Sequence, residues 1–382
     1  MRAEIQDGWE VVLLDRVAQR GSGHTPSKRN PDYWGGPIKW ISLADSHALD
    51  QGYFDTTAAT ISAQGLANSS AVLYPAGTVV LSRDAGVGKS AIMKCEMAVS
   101  QHFMAWVCGS QLDNRYLYYW LQSRKPDFER IANGTTIKTI GAAYFRDLQI
   151  GKPQIGEQGA IATALSDVDA LITVLARLIA KKRDLKQAAM QQLLTGLTRL
   201  PGFQGEWENV TVAELVKHQS GNSTLIKGKL SPAAAEGLFP AYSAAGQDVW
   251  HSRYEHDGDA IIVSAVGSRC GKAFKATGKW SAIANTHVVW PFSAKVDLRF
   301  LARFLDDEDF WQKSGTGQPF VLFKKTFAQR LRLPPRGEQT AIASILSDMD
   351  TELTALEARR TKTRALKLGM MQELLTGRTR LV

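Results

Sequence analysis

Apolar residues recur with helical spacing in two long segments of the chain. In residues 156–200 the intervals are four, three, four and three, and residues 336–382 repeat them. The residues concerned are Ile161, Leu165, Val168, Ile172 and Leu175, then Ile342, Leu346, Met349, Leu353 and Leu356. This spacing places the apolar side chains on one face of a helix, as in a coiled coil. Each segment therefore predicts a helix roughly 60 Å long, at about 1.5 Å per residue.

The two helical segments are copies of one sequence. Residues 156–200 and 337–381 are related by a constant shift of 181 positions, and 25 of the 45 pairs are identical. Both copies open with GEQxAIAxxLSDxD and close with MQxLLTGxTRL, in which Gly196 and Gly377 are suited to C-terminal caps. Two helices with the same apolar face pair most simply with each other. A pseudo-twofold relation then predicts an antiparallel pair that carries the remaining segments to opposite ends.

The remaining segments, residues 1–155 and 201–335, alternate short β-rich runs with turns and occasional helices. We call them head 1 and head 2, and predict for each a globular domain of mixed α/β (α+β) fold, with helices near Arg115–Gln122 and Leu298–Asp306. They also resemble each other faintly. AGTVVLSRDAGVGKS in head 1 and DGDAIIVSAVGSRCGK in head 2 each predict a strand that leads into a Gly-rich turn. A shared scaffold with different surface residues indicates two readers with different targets.

Composition narrows the class of protein without deciding it. The chain is 44% apolar and 22% charged, as in ordinary soluble proteins. Its net charge of +9 weakly favours a polyanionic partner. The three cysteines have no metal-ligand spacing and predict reduced residues of a cytosolic protein. No run approaches 18 apolar residues, so we expect neither secretion nor membrane insertion.

Several catalytic motifs are only approximated. The segment Ala85–Ser90 resembles a phosphate-binding loop, but the glycine required five residues before Gly88 is replaced by Arg83. Asn30-Pro31-Asp32-Tyr33 resembles the catalytic loop of amino-methyltransferases, with aspartate where those enzymes have proline. We interpret it as a Pro-anchored turn that ends in buried aromatic residues.

Metal chemistry also finds little support in the sequence. His251 and His256 do not have the spacing of a ligand pair, and we expect both in loops. The acidic run Asp306–Asp309 is consecutive, which spreads its carboxylates around a helix as a solvated face. The sequence therefore predicts a chain without a catalytic centre.

Three elements together resemble the specificity subunit of type I restriction–modification systems. They are TPSKRNPDYWGGPIKWISLAD from Thr25, the GEQxAIAxxLSDxD helix openings and the MQxLLTGxTRL endings. The resemblance covers the chain in the family's order. That order is a first target-recognition domain (1–155), a central conserved helix (156–200), a second recognition domain (201–335) and a distal conserved helix (336–382). Head 2 departs from it, because NSTLIKGKLSPAAAEGLFPAYS replaces the element that contains PDYWGG.

The resemblance implies that each head reads one half of a bipartite site in double-stranded DNA. The helices would set the length of the unread spacer. Phosphate contacts from Lys and Arg fix register, while Arg, Lys, Asn and Gln side chains read base edges. The candidates in the Gly-rich turns and the nearby polar loops are Arg83, Lys89, Asn133, Thr135, Thr136 and Lys138 in head 1, and Arg269, Lys272, Lys275, Gln318, Lys324 and Lys325 in head 2.

The resemblance also implies partners for the helices. Two methylation subunits would dock on them and bring S-adenosylmethionine, and restriction subunits that use ATP and Mg²⁺ would join that core; the chain itself would hold no cofactor. Matching polar positions fit such docking, although duplication alone would also leave them. They are Asp167 and Asp348, Lys181 and Lys362, Arg183 and Arg364, and Gln191 and Gln372.

Two other classes of function remain open at this point. An enzyme, either a methyltransferase or a nuclease, would need a cofactor or metal site that the sequence does not reveal. A pure assembly scaffold would tolerate the loss of basic head residues such as Lys272 and Lys275 without losing DNA affinity. The leading hypothesis is a cytoplasmic, non-catalytic subunit that recognises DNA and organises its partners.

Overall fold

The computed structural model describes residues 8–134, 138–315 and 317–381. Contacts divide the chain into two compact units, which do not follow the four consecutive segments predicted above. Unit 1 comprises residues 1–176 and 358–382, and unit 2 comprises residues 177–357. Each unit therefore contains one head, the start of the long helix that follows it and the end of the other long helix.

Head 1 is built from two sheets and a covering helix. Its strands are β1 (Glu10–Leu13), β2 (Ala18–Ser22), β3 (Trp34–Ile41), β4 (Tyr53–Phe54), β5 (Ala59–Ile61), β6 (Leu73–Tyr74), β7 (Val79–Ser82), β8 (Ser90–Met93), β9 (Met97–Val99), β10 (Phe103–Cys108) and β11 (Gln149–Lys152). Its helices are α1 (Ala63–Ala67), α2 (Asn114–Ser123) and α3 (Lys125–Ile131), and α4 (Ile155–Thr195) follows. The sheet orders are β2-β10-β7-β8-β4 and β5-β3-β9-β6, and β1 pairs with β11.

Head 2 repeats this construction. Its strands are β12 (Glu208–Thr211), β13 (Val216–Ser220), β14 (Phe239–Ser243), β15 (Gly246–His251), β16 (His256–Asp257), β17 (Ala260–Ser264), β18 (Ala273–Ala276), β19 (Lys279–Ala282), β20 (Thr286–Pro291), β21 (Lys313–Ser314), β22 (Phe320–Val321) and β23 (Arg330–Leu333). Its helices are α5 (Val212–Leu215), α6 (Leu298–Leu305) and α7 (Phe323–Phe327), and α8 (Arg336–Leu374) follows. The sheet orders β13-β20-β17-β18 and β15-β14-β19-β16, with β12 paired to β23, match those of head 1 except for the edge strand β4, which the first sheet of head 1 has in addition. The faint sequence similarity of the heads therefore reflects one shared topology.

The central strand of each head is apolar on both faces because it lies between two cores. In β7, Val79 and Leu81 pack with the residues of α2, whereas Val80 belongs to the core of the second sheet. In β17, Ile261 and Val263 pack with α6, and Ile262 faces the other core. Alternate residues of a strand point to opposite faces, so a strand covered on both sides is a continuous apolar run.

The long helices are antiparallel within each unit. In unit 1, Arg380 Nε lies 2.7 Å from Glu157 Oε1, and Lys367 Nζ lies 2.7 Å from Asp169 Oδ1. Residue numbers therefore rise along α4 in the direction in which they fall along α8 and the residues that follow it. In unit 2, Lys182 pairs with Glu352 at 2.8 Å and Lys186 pairs with Asp350, so residue numbers again run in opposite directions. The predicted antiparallel pairing of the helices is confirmed in both units.

The first apolar residues of each long helix pack into the core of a head. Ile161 and Leu165 are fully buried in the main core of head 1, and Ile342 and Leu346 take the same positions in head 2. The first turns of each long helix are therefore part of a head. The α4 helix ends at Thr195, directly before the predicted cap Gly196, whereas α8 ends at Leu374, before it reaches the predicted cap Gly377. Both glycines adopt the left-handed conformation, with φ values of 72° and 76°.

Three smaller expectations meet different outcomes. The Asn30 segment is a turn as predicted, in which the Asn30 side chain accepts a hydrogen bond from the Asp32 N–H at 3.1 Å, but its aromatic residues Tyr33 and Trp34 are half-buried and not buried as expected. His251 and His256 lie in strands β15 and β16, so their assignment to loops was wrong; His256 stacks on Trp280 with 4.4 Å between ring centres. The acidic run does not continue a helix, because Asp306 ends α6 and the Asp307 side chain accepts from Asp309 N–H in a separate turn.

Among the described residues, α4 is long and apolar enough to cross a membrane. Its most apolar 18-residue window has a mean hydropathy of 1.6, and 22% of that window is buried. The expectation from the sequence was that no segment would be apolar enough to span a membrane. Length and composition alone are weak evidence for a span, since packed helices meet the same criteria, and the first turns of α4 lie in the core of head 1.

Candidate nucleic-acid interface

The two candidate loops of head 1 lie side by side. The Gly-rich turn joins β7 to β8, and the polar loop after α3 closes where Asn133 and Thr139 exchange main-chain hydrogen bonds of 3.0 and 2.8 Å. The loops are linked because Ala85 N–H donates to Lys138 C=O at 3.2 Å and Ile140 N–H donates to Arg83 C=O at 2.9 Å. Segments far apart in sequence therefore form one surface.

Head 2 brings its equivalent loops together in the same way. The turn between β17 and β18 meets the β21–β22 hairpin: Gly267 N–H donates to Pro319 C=O at 2.8 Å, and Val321 N–H donates to Ala265 C=O at 2.9 Å. Main-chain bonds make both junctions, so the side chains of these loops are free to differ between the heads.

The Gly-rich turn of head 1 is not a phosphate-binding loop. It connects two antiparallel strands, with Val80 paired to Ala91, whereas a phosphate-binding loop leads from a strand into a helix. Ala85, Gly86 and Gly88 adopt positive φ values of 44°, 120° and 84°, which fit a tight hairpin turn.

The candidate DNA-contacting residues of head 1 differ in how exposed their side chains are. Lys138 and Asn133 are exposed. Arg83 is half-buried, with Nε donating to Gln101 C=O at 3.0 Å, and Lys89 Nζ donates to Ser46 C=O at 2.9 Å. Thr135 and Thr136 lie outside the described residues. Arg83 and Lys89 therefore hold the loops together as well as contributing positive charge.

The candidates of head 2 are more exposed overall. Gln318, Lys324 and Lys325 are exposed, and the two lysines are on the short helix α7. The other three candidates have partners within the head. Lys272 pairs with Asp306 at 2.8 Å, Lys275 pairs with Asp259 at 3.5 Å, and Arg269 Nη1 donates to Ala245 C=O at 2.8 Å.

A pair of histidines lies beneath α7. His218 Nδ1 and His287 Nε2 are 2.7 Å apart, and the His287 ring stacks on Phe323 with 3.7 Å between centres. Burial lowers the pKa of His287 to about 4, and the neighbouring His218 acts in the same direction. Both rings are therefore neutral near pH 7, which leaves the positive charge of this region to Lys324 and Lys325.

The eight polar positions predicted for partner docking are all exposed on the long helices. They are Asp167, Lys181, Arg183, Gln191, Asp348, Lys362, Arg364 and Gln372. Of these, Arg183 also forms an ion pair with Glu357. Their exposure is compatible with docking, and their role stays a prediction.

Sequence reasoning missed the residues that attach each head to the helices. In both GEQ motifs the glutamine is fully buried. Gln158 accepts from Asp113 N–H at 3.0 Å and donates to Gln111 C=O and Pro153 C=O, at 3.0 and 2.9 Å. Gln339 repeats this with Asp297 N–H, Lys295 C=O and Pro334 C=O, each at 2.8 Å. Identity at both copies of the repeat was the available signal.

The glutamates of the same motifs bind the closing arginines. Glu157 accepts two hydrogen bonds from Arg380, which lower the pKa of Glu157. Glu338 accepts from Arg199, with 3.1 Å to its Nε, and from Trp207 Nε1 at 3.2 Å. The GEQ opening of one helix is thus joined to the TRL ending of the other in each unit.

The LSDxD motifs complete the attachment. Asp169 accepts from the Tyr119 hydroxyl of α2 at 2.9 Å, and Asp350 accepts from Arg303 of α6. Lys367 and Lys186, which are repeat equivalents, pair with these two aspartates. Burial acts to raise the pKa of Asp350, but hydrogen bonds from Lys186 and Arg303 outweigh it and hold the pKa below its ordinary value.

Comparison with known proteins agrees with this arrangement of paired heads. The family described as type I restriction modification DNA specificity domain matches residues 6–181 and again residues 204–364. The chain therefore belongs to this family of DNA specificity subunits, which recognise DNA and are not the catalytic subunits of their systems.

The relatives and a solved structure cover the chain to different extents. The MjaIX specificity subunit of Methanocaldococcus jannaschii is 28% identical over 44% of this chain, and the alignment spans 40% of that relative. The EcoprrI specificity subunit of Escherichia coli is 20% identical over 91% of this chain and 90% of its own length. The crystal structure of an S subunit from M. genitalium has a TM-score of 0.61 at 18% identity and covers 97% of both chains. This last likeness supports the fold.

Proposed function

We propose that the loop surface of each head contacts one half of a bipartite site in double-stranded DNA. The observation that carries this proposal is that both heads build the same two-loop surface by main-chain hydrogen bonds while its side chains differ. A fixed scaffold with variable loops suits two recognition sites of different sequence. The names of the relatives as type I specificity subunits support it.

Within each surface, exposed cations would contact phosphates, and polar side chains would read base edges. Lys138, Lys324 and Lys325 suit the first role because their side chains are exposed. Asn133 and Gln318 suit the second role, since exposed amides offer a donor and an acceptor together. Arg83, Lys89, Arg269, Lys272 and Lys275 also have partners inside the heads, so we assign them secondary roles.

The long helices would connect the two readers, set the unread spacer and dock two methylation subunits. Asp167 and Lys181 of α4, with their equivalents Asp348 and Lys362 of α8, are exposed in both copies, as docking of identical partners requires. The methylation subunits would supply S-adenosylmethionine, and restriction subunits that use ATP and Mg²⁺ would join them. The assembly would act in the cytoplasm.

Modification mapping tests the proposal. DNA from cells that express this chain with its neighbouring methyltransferase gene is sequenced by long reads that detect methyladenine. We expect a split motif, with two short defined runs around a fixed gap. Replacing residues 201–335 with the same block of a relative should change one run only. A continuous motif, or an unchanged motif when this chain is omitted, would contradict the proposal and favour an assembly scaffold.

A further inference from the structure

We propose that Gln101 of head 1 reads the edge of an adenine, and that Thr25, His102 and Asp84 hold its amide in the reading orientation. The inference rests on the proposed function, because it takes the loop surface of head 1 to face DNA. It adds to that function one base-reading side chain and the class of base that it recognises. The candidates drawn from the sequence did not include any of these four residues.

The network begins at a buried carboxylate. Asp84 Oδ2 lies 2.6 Å from His102 Nδ1, and the Asp84 side chain is only 10% exposed, against 34% for His102. A carboxylate only accepts hydrogen bonds, so His102 Nδ1 is the donor to Asp84, which leaves Nε2 as the acceptor nitrogen of that tautomer. Asp84 thus selects one tautomer of His102 and fixes the plane of its ring.

The orientation passes from the histidine to the amide. Gln101 Nε2 lies 3.4 Å from His102 Nε2, while Gln101 Oε1 accepts from the Thr25 hydroxyl at 2.6 Å. The NH₂ group therefore points to the histidine and the carbonyl oxygen points to the threonine. An amide has two N–H donors and two oxygen lone pairs, so one of each is left over. This pair matches N7 and the N6 amino group of adenine, the base that glutamine recognises in the major groove.

Gln101 belongs to the same surface as the candidate loops. It lies in the turn between β9 and β10, where Arg83 Nε donates to Gln101 C=O and Arg83 N–H donates to His102 C=O, both at 3.0 Å. The Gln101 side chain is only partly buried. A loop that packs on the Gly-rich turn therefore presents an amide whose direction is already set, which reduces the ordering cost of a specific contact.

Head 2 has no equivalent network among its described residues, although it has the same turn. Ala265 N–H donates to Asn285 C=O at 2.9 Å, as Arg83 N–H does to His102 C=O, which makes Asn285 the equivalent of His102. By the same register Ala284 replaces Gln101 and Val266 replaces Asp84. The fold forms without the network, so folding does not explain why head 1 has it.

The test uses modification mapping of the full chain with its methylation subunit. Exchange of residues 201–335 first identifies which half of the wild-type motif belongs to head 1. We expect Gln101→Ala to relax one A·T position of that half, with discrimination against other bases falling about 10- to 100-fold. Asp84→Asn should relax the same position more weakly, because the amide stays and only its positioning is lost. Asn285→Ala in head 2 is the matched control and should leave the head 1 half unchanged.

The outcomes separate this inference from the proposed function. A split wild-type motif that Gln101→Ala leaves unchanged overturns the inference alone, as does relaxation at a G·C position. A wild-type chain without a split motif overturns the proposed function. Gln101→Met keeps the length of the side chain but removes the amide. Comparison of its thermal unfolding with that of wild type separates a loss of base recognition from a loss of stability. Relaxation of the same position by Met at an unchanged unfolding temperature supports the inference.

Discussion

Heads 1 and 2 share a scaffold and differ in the loops that it carries. Both place the strand before the Gly-rich turn between two cores, and both begin the covering helix at an aspartate cap, Asp113 or Asp297. The loops above this scaffold differ in chemistry. Head 1 has the polar Asp84–His102 pair, while head 2 has Val266 in the equivalent turn and a histidine pair beneath α7. The residues that build the common scaffold are thus different from those that give each loop surface its chemistry.

The contacts of the two long helices also explain some of the positions at which the two helix copies are identical. Gln158, Asp169 and their equivalents hold a head against the helices, and Glu157 and its equivalent join the opening of one long helix to the ending of the other. Identity alone therefore does not mark a docking surface. Positions such as Lys181 that are both identical and exposed retain that interpretation.

Substitution of the buried glutamines should cause the largest loss of stability, and the loss should be similar for the two heads. Gln158→Leu and Gln339→Leu each remove the partner of one main-chain N–H and two C=O groups, and one of the two C=O groups belongs to an exposed residue, Gln111 or Lys295. An orphaned buried group costs about 1–3 kcal/mol and a group that reaches water costs less, so we expect either change to cost about 3–5 kcal/mol. Calorimetric unfolding of the full chain measures this, with the exposed Gln192→Leu as a control near zero. A large cost in one head only would refute the equivalence.

The two glutamate–arginine pairs should stabilise their units by different amounts. The Glu338 side chain has no exposed surface and also binds Trp207, whereas the Glu157 side chain is 8% exposed. We expect Glu338→Gln to cost about 2–4 kcal/mol and Glu157→Gln about half of that. Urea unfolding followed by tryptophan fluorescence compares them, and exposed Glu129→Gln is the control. Equal losses would show that the Trp207 contact adds nothing.

The buried histidine should make head 2 sensitive to mild acid. The pKa of His287 is about 4 in the folded protein, against roughly 6.5 for an ordinary histidine, so the unfolded chain binds more protons between these values. Stability is complete above about pH 6.5 and falls by at most about 3 kcal/mol as the pH approaches 4. His287→Met, which introduces the residue that head 1 has at the equivalent Met104, should flatten the pH dependence of the unfolding temperature. Parallel curves for mutant and wild type would contradict this.

The smallest effect should come from the exposed lysines of α7. Lys324→Gln with Lys325→Gln should weaken DNA binding at every sequence and reduce the slope of log affinity against log salt by about 1 per lost phosphate contact. Affinity measured over a salt series, for the chain bound to its methylation subunit, gives the slope. Lys295→Gln is the control, because Lys295 pairs with Glu208 beside the first turn of α8 and not with the loop residues. An unchanged slope would remove α7 from the DNA surface.

Periodicity and repetition were sufficient to predict the long helices, their antiparallel pairing and the doubled heads. An interval of four and three residues defines a helical face locally, and a constant shift of 181 positions needs no spatial information. The α2 and α6 helices were also predicted within one or two residues. His251 and His256 were misassigned because their strands depend on partners elsewhere in the sheet, such as Lys279–Ala282.

The tandem repeat of head and helix can be read from the chain without coordinates, because helix periodicity and internal identity are properties of neighbouring or regularly spaced residues. Which side chains meet depends on the packing of the folded chain. Gln101 and Asp84 are 17 positions apart and Arg380 is far from Glu157 in the chain, yet each pair belongs to one hydrogen-bonded group. Such contacts depend on how strands and helices are packed, since packing brings together residues that no local pattern relates.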